Sequence, residues 1–329
     1  VNYGWWRGNT RFDRLNDMYT TTSKGTYRQF VSTIGKESYN DMTGKLGFSY
    51  MINDRHSIGA YYQNSWNRHN TDGTIPSEIW QNGILLDLYN SDVHNQSTAV
   101  PRHYANIYYN GIVGKLNIDF NADYIWYKSR ELTFNNELSE MGNDREVNTS
   151  SINRNRMFAE KLVMTYPLWK GQIEIGEEYT NTRTTNLFSA NIPETPNADN
   201  RVDENNIAVF AELGQQFGRF MIGAGLRYEH VKFNYYEMGL LRDGQSKTYN
   251  NIFPSLNIAT EVGKVRMGLN YTGKTIRPGY DQLDGAISYI NRLTYETGNP
   301  YLKPTKLQTV EYMAQWRRFF AQLSYTYFK

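Results

Sequence analysis

The sequence predicts an all-β fold, an antiparallel transmembrane β-barrel, and three observations predict it. Apolar and polar residues alternate with period two over many stretches, and short and long connections take turns along the chain. No apolar run approaches the roughly 18 residues of a membrane-crossing helix. Composition fits: aromatics are 15% of the chain, 27 of them Tyr, while the mean hydropathy of −0.69 is that of a polar protein. A strand with lipid on one side and a wet lumen on the other needs apolar residues only at every second position.

From 116 to 128 the even positions Leu116, Ile118, Phe120, Ala122, Tyr124 and Trp126 oppose Asn117, Asp119, Asn121 and Asp123. From 220 to 229, Phe220, Ile222, Ala224, Leu226 and Tyr228 oppose Gly223, Gly225, Arg227 and Glu229. Val265, Met267, Leu269 and Tyr271 oppose Arg266, Gly268, Asn270 and Lys274, and Phe319, Ala321, Leu323, Tyr325 and Tyr327 oppose Gln322, Ser324 and Thr326.

Tight turns are expected at Asn53 to His56, Gly114 with Lys115, Leu168 to Gly171, Gly218 with Arg219, Gly263 with Lys264, and Arg317 with Arg318. Between them, longer irregular connections rich in Asn, Asp, Gly, Pro and Ser are expected near 70–101, 130–151, 188–204, 236–248 and 277–304. Short periplasmic turns alternating with long outer loops are the outer-membrane pattern, and compact soluble domains rarely carry such loops so regularly. The count is about 14 strands, with 16–41 the least defined stretch. Glu160 and Glu177 fall on the lipid side of their strands and are expected near an interface or beyond a phase-shifting bulge. Pro254, lacking an amide donor, is expected at the outer end of its strand.

At residues 251–311 three stretches come in order: Phe253-Pro254-Ser255-Leu256, Arg277-Pro278-Gly279-Tyr280-Asp281-Gln282-Leu283, and Gly298-Asn299-Pro300-Tyr301-Leu302-Lys303-Pro304 with Glu311 in the strand that follows. With these motifs the chain resembles the C-terminal barrels of TonB-dependent outer-membrane receptors of the Bacteroidetes type. Thr305 departs from the Glu that often follows the second Pro in that family. The resemblance implies that residues 1–329 are one barrel segment of a larger barrel of about 22 strands. It also implies a plug domain upstream, contact with the TonB energy-coupling complex through that plug, and a possible surface lipoprotein partner. The function it implies is active import of a nutrient across a bacterial outer membrane, the nutrient being a small molecule or an oligomer: glycan, peptide or metal chelate. The bilayer and its lipopolysaccharide are the remaining partners. No cofactor is implied.

Candidate ligand contacts lie in the loop 277–304, where Arg277, Tyr280, Asp281, Tyr289, Arg292 and Tyr295 offer aromatic faces and both charges, together with Trp80 from another outer connection. The alternative role for Arg277, Asp281 and the Gly-Asn-Pro turn is to hold the loop's own fold. Trp5, Trp6, Trp126, Trp169 and Trp316 are expected in interfacial girdles or packing. Asp119, Asp123, Arg227, Glu229, Arg266 and Lys274 are expected to face the lumen, lining a path, docking a plug or simply solvated.

Several function classes have little behind them. Asn197, Asp199, Asn200, Asp203 and Asn206 lack the spacing of a calcium loop. His56, His69, His94, His103 and His230 form no zinc motif, and there is no GxSxG, Walker or dinucleotide signature, so an enzyme is not expected. With no cysteine there is neither disulfide framework nor thiolate site, and a formal charge of +2 spread over both signs gives no nucleic-acid stripe. Two rivals stay open: a passive channel in the same membrane, and a soluble or surface all-β ligand-binding protein.

Overall fold

The computed structural model describes residues 1–292 and 294–329, with the side chains of all but Ala99 and Val100. In chain order the strands are β1 (Asn2–Thr22), β2 (Gly25–Asn53), β3 (His56–Gln81), β4 (Ile84–Val113), β5 (Leu116–Ser139), β6 (Arg145–Leu168), β7 (Gly171–Ala190) and β8 (Ala198–Phe217). They continue with β9 (Phe220–Glu237), β10 (Leu240–Leu241), β11 (Lys247–Val262), β12 (Val265–Ile276), β13 (Ile287–Asn291), β14 (Thr294–Thr297), β15 (Thr305–Trp316) and β16 (Phe319–Phe328). All but β13 and β14 form one 14-stranded antiparallel sheet in which neighbours in sequence are neighbours in space, with β10 pairing β9 off the main path. Its edges, β1 and β16, each pair on one side only.

The short turns fall where the sequence places them, because a two-residue hairpin needs left-handed backbone that Gly supplies without strain. Gly114 and Gly263 adopt φ of 64° and 63°. The outer connections differ from expectation. Region 70–101 is not an irregular loop: β3 and β4 run on as paired strands to a turn at Asn82 and Gly83. Likewise 130–151 and 188–204 are mostly strand, and 236–248 holds the ends of β9 and β11 around β10. Beyond the membrane both faces of a strand meet water, so alternation fades while the backbone ladder continues; the polar composition there marks solvent, not loop. The region 16–41 is the β1–β2 hairpin, closed at residues 23–24.

Strand heights are uneven. β2 to β6 have between 24 and 30 residues, whereas β11, β12, β15 and β16 have between 10 and 16. The sheet is tall on one side and low on the other.

The outward face is apolar. Leu46, Ile107, Leu226, Leu269 and Leu323 stand on it, with relative exposures from 37% to 72%, the reverse of a soluble fold. Glu160 and Glu177 share it: Glu160 opposes Ala122 and Tyr179, and Glu177 opposes Leu162 and Val209, with unbroken register in these strands. No bulge turns them inward. Pro254 sits inside β11, not at its end; the β9 ladder runs through it, while pairing with β12 begins only at Ser255, so the missing donor coincides with the end of that ladder. Trp6 pairs with Asp41 and packs on Tyr39 on the inner face, whereas Trp5 bonds Asn40 on the outer one. Trp169 and Trp316 lie at short turns.

Candidate functional site

The long connection 277–304 does not rise into solvent. It folds inward as a strap that starts after β12 on the low side and reaches across the concave face to the tall wall of β4 and β5. At its root, Arg277 donates to Glu229 at 2.8 Å; Glu229 accepts from Arg227 at 2.8 Å, Arg227 bonds Glu178 at 2.6 Å, and Glu178 meets Lys161 at 2.9 Å. Charges thus alternate across β6 to β9 into the strap, each neutralised by its neighbours.

The strap's middle is held by two family-like motifs that clasp each other. Asn299 donates its amide to the Gln282 carbonyl at 2.6 Å. A Cβ on Gly298 would collide with the carbonyl oxygens of Asp284, Gln282 and Asp281, so only glycine lets the two segments meet this closely. Asp284 accepts from the amides of Asn186 and Asn200, the latter at 2.7 Å, and from the Ala286 amide at 3.1 Å. Tyr280 and Leu283 pack beneath on Val202, Phe233 and Tyr235, the buried apolar cluster of this region. That burial pushes the Tyr280 hydroxyl up to about 12.

The far end is pinned hardest. Glu137, 0% exposed, accepts from Arg292 at 2.7 Å, from the Tyr289 hydroxyl at 2.5 Å and from Asn135 at 3.1 Å. Arg292 also reaches Asp87 at 3.4 Å and lies over the Tyr89 ring. Tyr289 packs edge-on against Tyr295 and under Arg145, which pairs with Glu194; burial beside Glu137 raises its phenol. A buried carboxylate is tolerated because a guanidinium and two further donors replace its water.

Of the residues singled out from sequence, Arg277, Tyr280, Asp281, Tyr289, Arg292 and Tyr295 all belong to this strap. Trp80 does not join them: it lies in β3, not in a loop, and bonds Glu78 on the outward side. Among the lumen positions, Arg227 and Glu229 are in the charge chain. Asp123 lies lower in the lumen, accepting from Tyr104 and Asn106, and Asp119 is nearer the short turn beside Asn117. Arg266 pairs with Glu261 at the short-turn end, and Lys274 stands exposed on β12. Asn200 and Asp203, grouped by sequence as oxygen ligands, occupy opposite faces of β8: Asn200 holds the strap and Asp203 pairs with Arg183.

Glu137, Asp87 and Asp284 escaped sequence reading. Nothing local distinguishes Glu137 from its neighbours in a polar strand; its partner Arg292 is 155 positions away.

Between the strap and the inner faces of β5 to β8 lies a cavity of about 1030 Å³. Its wall is a lattice of neutral donors and acceptors, among them Ser129, Thr133, Ser151, Asn153, Asn155 and Thr184, and its roof includes Tyr280, Asp281 and Tyr289. Glu131, Asp284 and Glu296 add negative charge. Arg154, the basic residue at its border, stands in the outward row of β6, opposite Lys128.

An apolar outside, a polar inside and a meander of hairpins define a membrane barrel wall, and a family model agrees: the outer membrane protein beta-barrel family matches residues 113–329. The chain belongs to that family. This barrel therefore resides in the bacterial outer membrane. Among solved structures it is similar to the copper transporter OprC, with a TM-score of 0.54 at 10% identity over 99% of this chain and 53% of that one. It is also similar to the ferric citrate transporter FecA (0.49, 12%, 98% and 51%) and to the ferric yersiniabactin uptake receptor FyuA from Yersinia pestis (0.47, 12%, 99% and 54%). The barrel segment spans about half the length of these structures. No curated protein sequence matches it. The soluble rival is set aside by the family and by the apolar outer face.

Proposed function

We propose that this barrel segment is the ligand-receiving wall of an active importer in which further strands join β1 to β16 and a plug closes the lumen. An open strand edge of this length has no place in lipid, where backbone groups find no water. The observation that carries the import reading is the strap: it crosses the mouth above a large polar cavity, as a binding site requires and an unobstructed channel does not. The named neighbours are transporters and an uptake receptor, which supports the same class. The lining favours a neutral, hydroxyl- or amide-rich nutrient such as a glycan or peptide over an anionic metal chelate, because its carboxylates would repel the chelate while its amides and hydroxyls pair with either.

The test is uptake by cells expressing the full-length protein, with oligosaccharides, peptides and ferric chelates offered in turn, with and without a protonophore. Import of a neutral oligomer that stops when the proton gradient collapses is expected. Uptake that continues undiminished without the gradient would replace the importer by a passive channel.

A further inference from the structure

The outer face carries a pattern that neither the strap nor the lumen uses. Along β5 the outward residues, read away from the short turn, go from Phe120 and Ala122 through Tyr124 and Trp126 to Lys128 and Arg130. Along β6 the order is the same: Met164 and Leu162, then Glu160, then Phe158, then Arg156 and Arg154. On β7 it runs from Ile175 through Glu177 and Tyr179 to Arg183. Apolar residues give way to aromatics and aromatics to cations, which is the sequence of environments met on leaving the hydrocarbon for the headgroups.

The cations are not scattered along that boundary. Lys128 is the direct cross-strand partner of Arg154, and Arg156 that of Arg183. Like charges directly opposite destabilise a sheet, so adjacent strands would avoid this arrangement unless an anion lay between them. Nor does the protein supply that anion: Lys128, Arg130, Arg154 and Arg156 have no ion pair or side-chain hydrogen bond among the described residues. The nearby carboxylate Asp203 is already shared by Arg183 and Arg201, and Glu160 lies below Phe158 on the apolar side. Isolated interfacial cations would simply extend toward water.

We infer that the outward patch of Lys128, Arg130, Arg154 and Arg156 binds the phosphate groups of a glycolipid of the outer leaflet, with the aromatic row of Tyr124, Trp126 and Phe158 packing on its acyl chains. Guanidinium pairs fit phosphate oxygens by paired N–H donors. This assignment depends on the outer-membrane location and not on the import reading.

The full-length protein, extracted in mild detergent, is mixed with bis-phosphorylated lipid A, with dephosphorylated lipid A of the same acyl chains, and with inorganic phosphate as competitor, and retained lipid is counted by native mass spectrometry. The expected result is retention of the phosphorylated lipid in preference to the dephosphorylated one by about tenfold or more, resistant to equimolar inorganic phosphate, and lost in the combined Lys128→Gln, Arg154→Gln, Arg156→Gln variant. Arg154→Lys with Arg156→Lys, which keeps the charge and removes the paired donors, should retain an amount between the wild type and the glutamine variant. Equal retention of the two lipids, displacement by equimolar phosphate, or undiminished binding by the glutamine variant would each overturn the assignment. Should that variant fail to fold, the wild-type comparison of the two lipids decides alone.

Discussion

Residues 70–101 and 277–304 are both rich in Asn, Asp, Gly and Pro, yet one stands upright as sheet and the other lies across the lumen. The upright region has neighbours of matching height: β3 and β4 are flanked by β2 and β5, which supply ladder partners along most of their length. The strap follows β12, whose 12 residues end beside the short β11 and β15, so no ladder continues beyond Ile276. Its backbone finds a four- to five-residue hairpin of its own, β13 with β14, and local bonds such as the clasp of Asn299 on Gln282, while side chains tie it to the wall. Strand length in this barrel is therefore collective, set by what the adjacent strands offer. Where the wall is low, the chain leans across to where it is tall.

The largest effect is expected where the strap meets the wall. Glu137→Ala leaves Arg292 and Tyr289 without their buried acceptor, and breaking a buried ion pair costs about 3–5 kcal/mol. Hydrogen exchange over 286–292 should rise sharply while 70–98 stays protected. Unchanged protection of the strap would mean that its root and clasp hold it without Glu137.

Next in size is a test of the two faces. Leu269→Arg puts a charge on the apolar side of β12, at a cost of up to about 2–4 kcal/mol at mid-membrane, whereas Asn270→Arg faces the lumen and should cost far less. Folding yield into lipid vesicles measures the difference, and equal yields would break the assignment of faces.

A smaller loss, about 1–3 kcal/mol, is expected from Gly298→Ala, because the added methyl overpacks the clasp against carbonyl oxygens. Protease nicking between 281 and 299 should report it. If nicking is unchanged, the clasp opens freely and the ends alone fix the strap. The smallest effect belongs to the upright hairpin: Asn82→Ala, at φ 52°, should cost about 1–2 kcal/mol and raise exchange only near the tip. Loss of protection down to Arg68 would show that the turn, and not the flanking ladders, holds the tall wall.

The fold is largely legible in the residues alone, and the site less so. The alternation of Leu116 to Trp126 and of Phe220 to Tyr228 identified inner and outer faces correctly, and glycine-containing turns such as Gly114 with Lys115 were placed to the residue. Glu160 and Glu177 stand outward both by alternation and in the sheet. By contrast, polar stretches outside the membrane read as loops, since period two is a signature of two unlike environments and vanishes where both are water. The strap's own residues were picked out because Arg, Tyr and Asp stand together there, but the residues that receive them were not.

Local sequence was sufficient for strand phase and short turns because both are decided within a few residues, by the pleat of the backbone and by which side chains accept positive φ. Folding in three dimensions was needed to set the height of each strand, which depends on its neighbours' lengths, and to bring Arg292 to Glu137 and Asp284 to Asn200 across the lumen. Those pairs join segments far apart in the chain, and the burial that makes Glu137 require a partner exists only after the strap has closed over it.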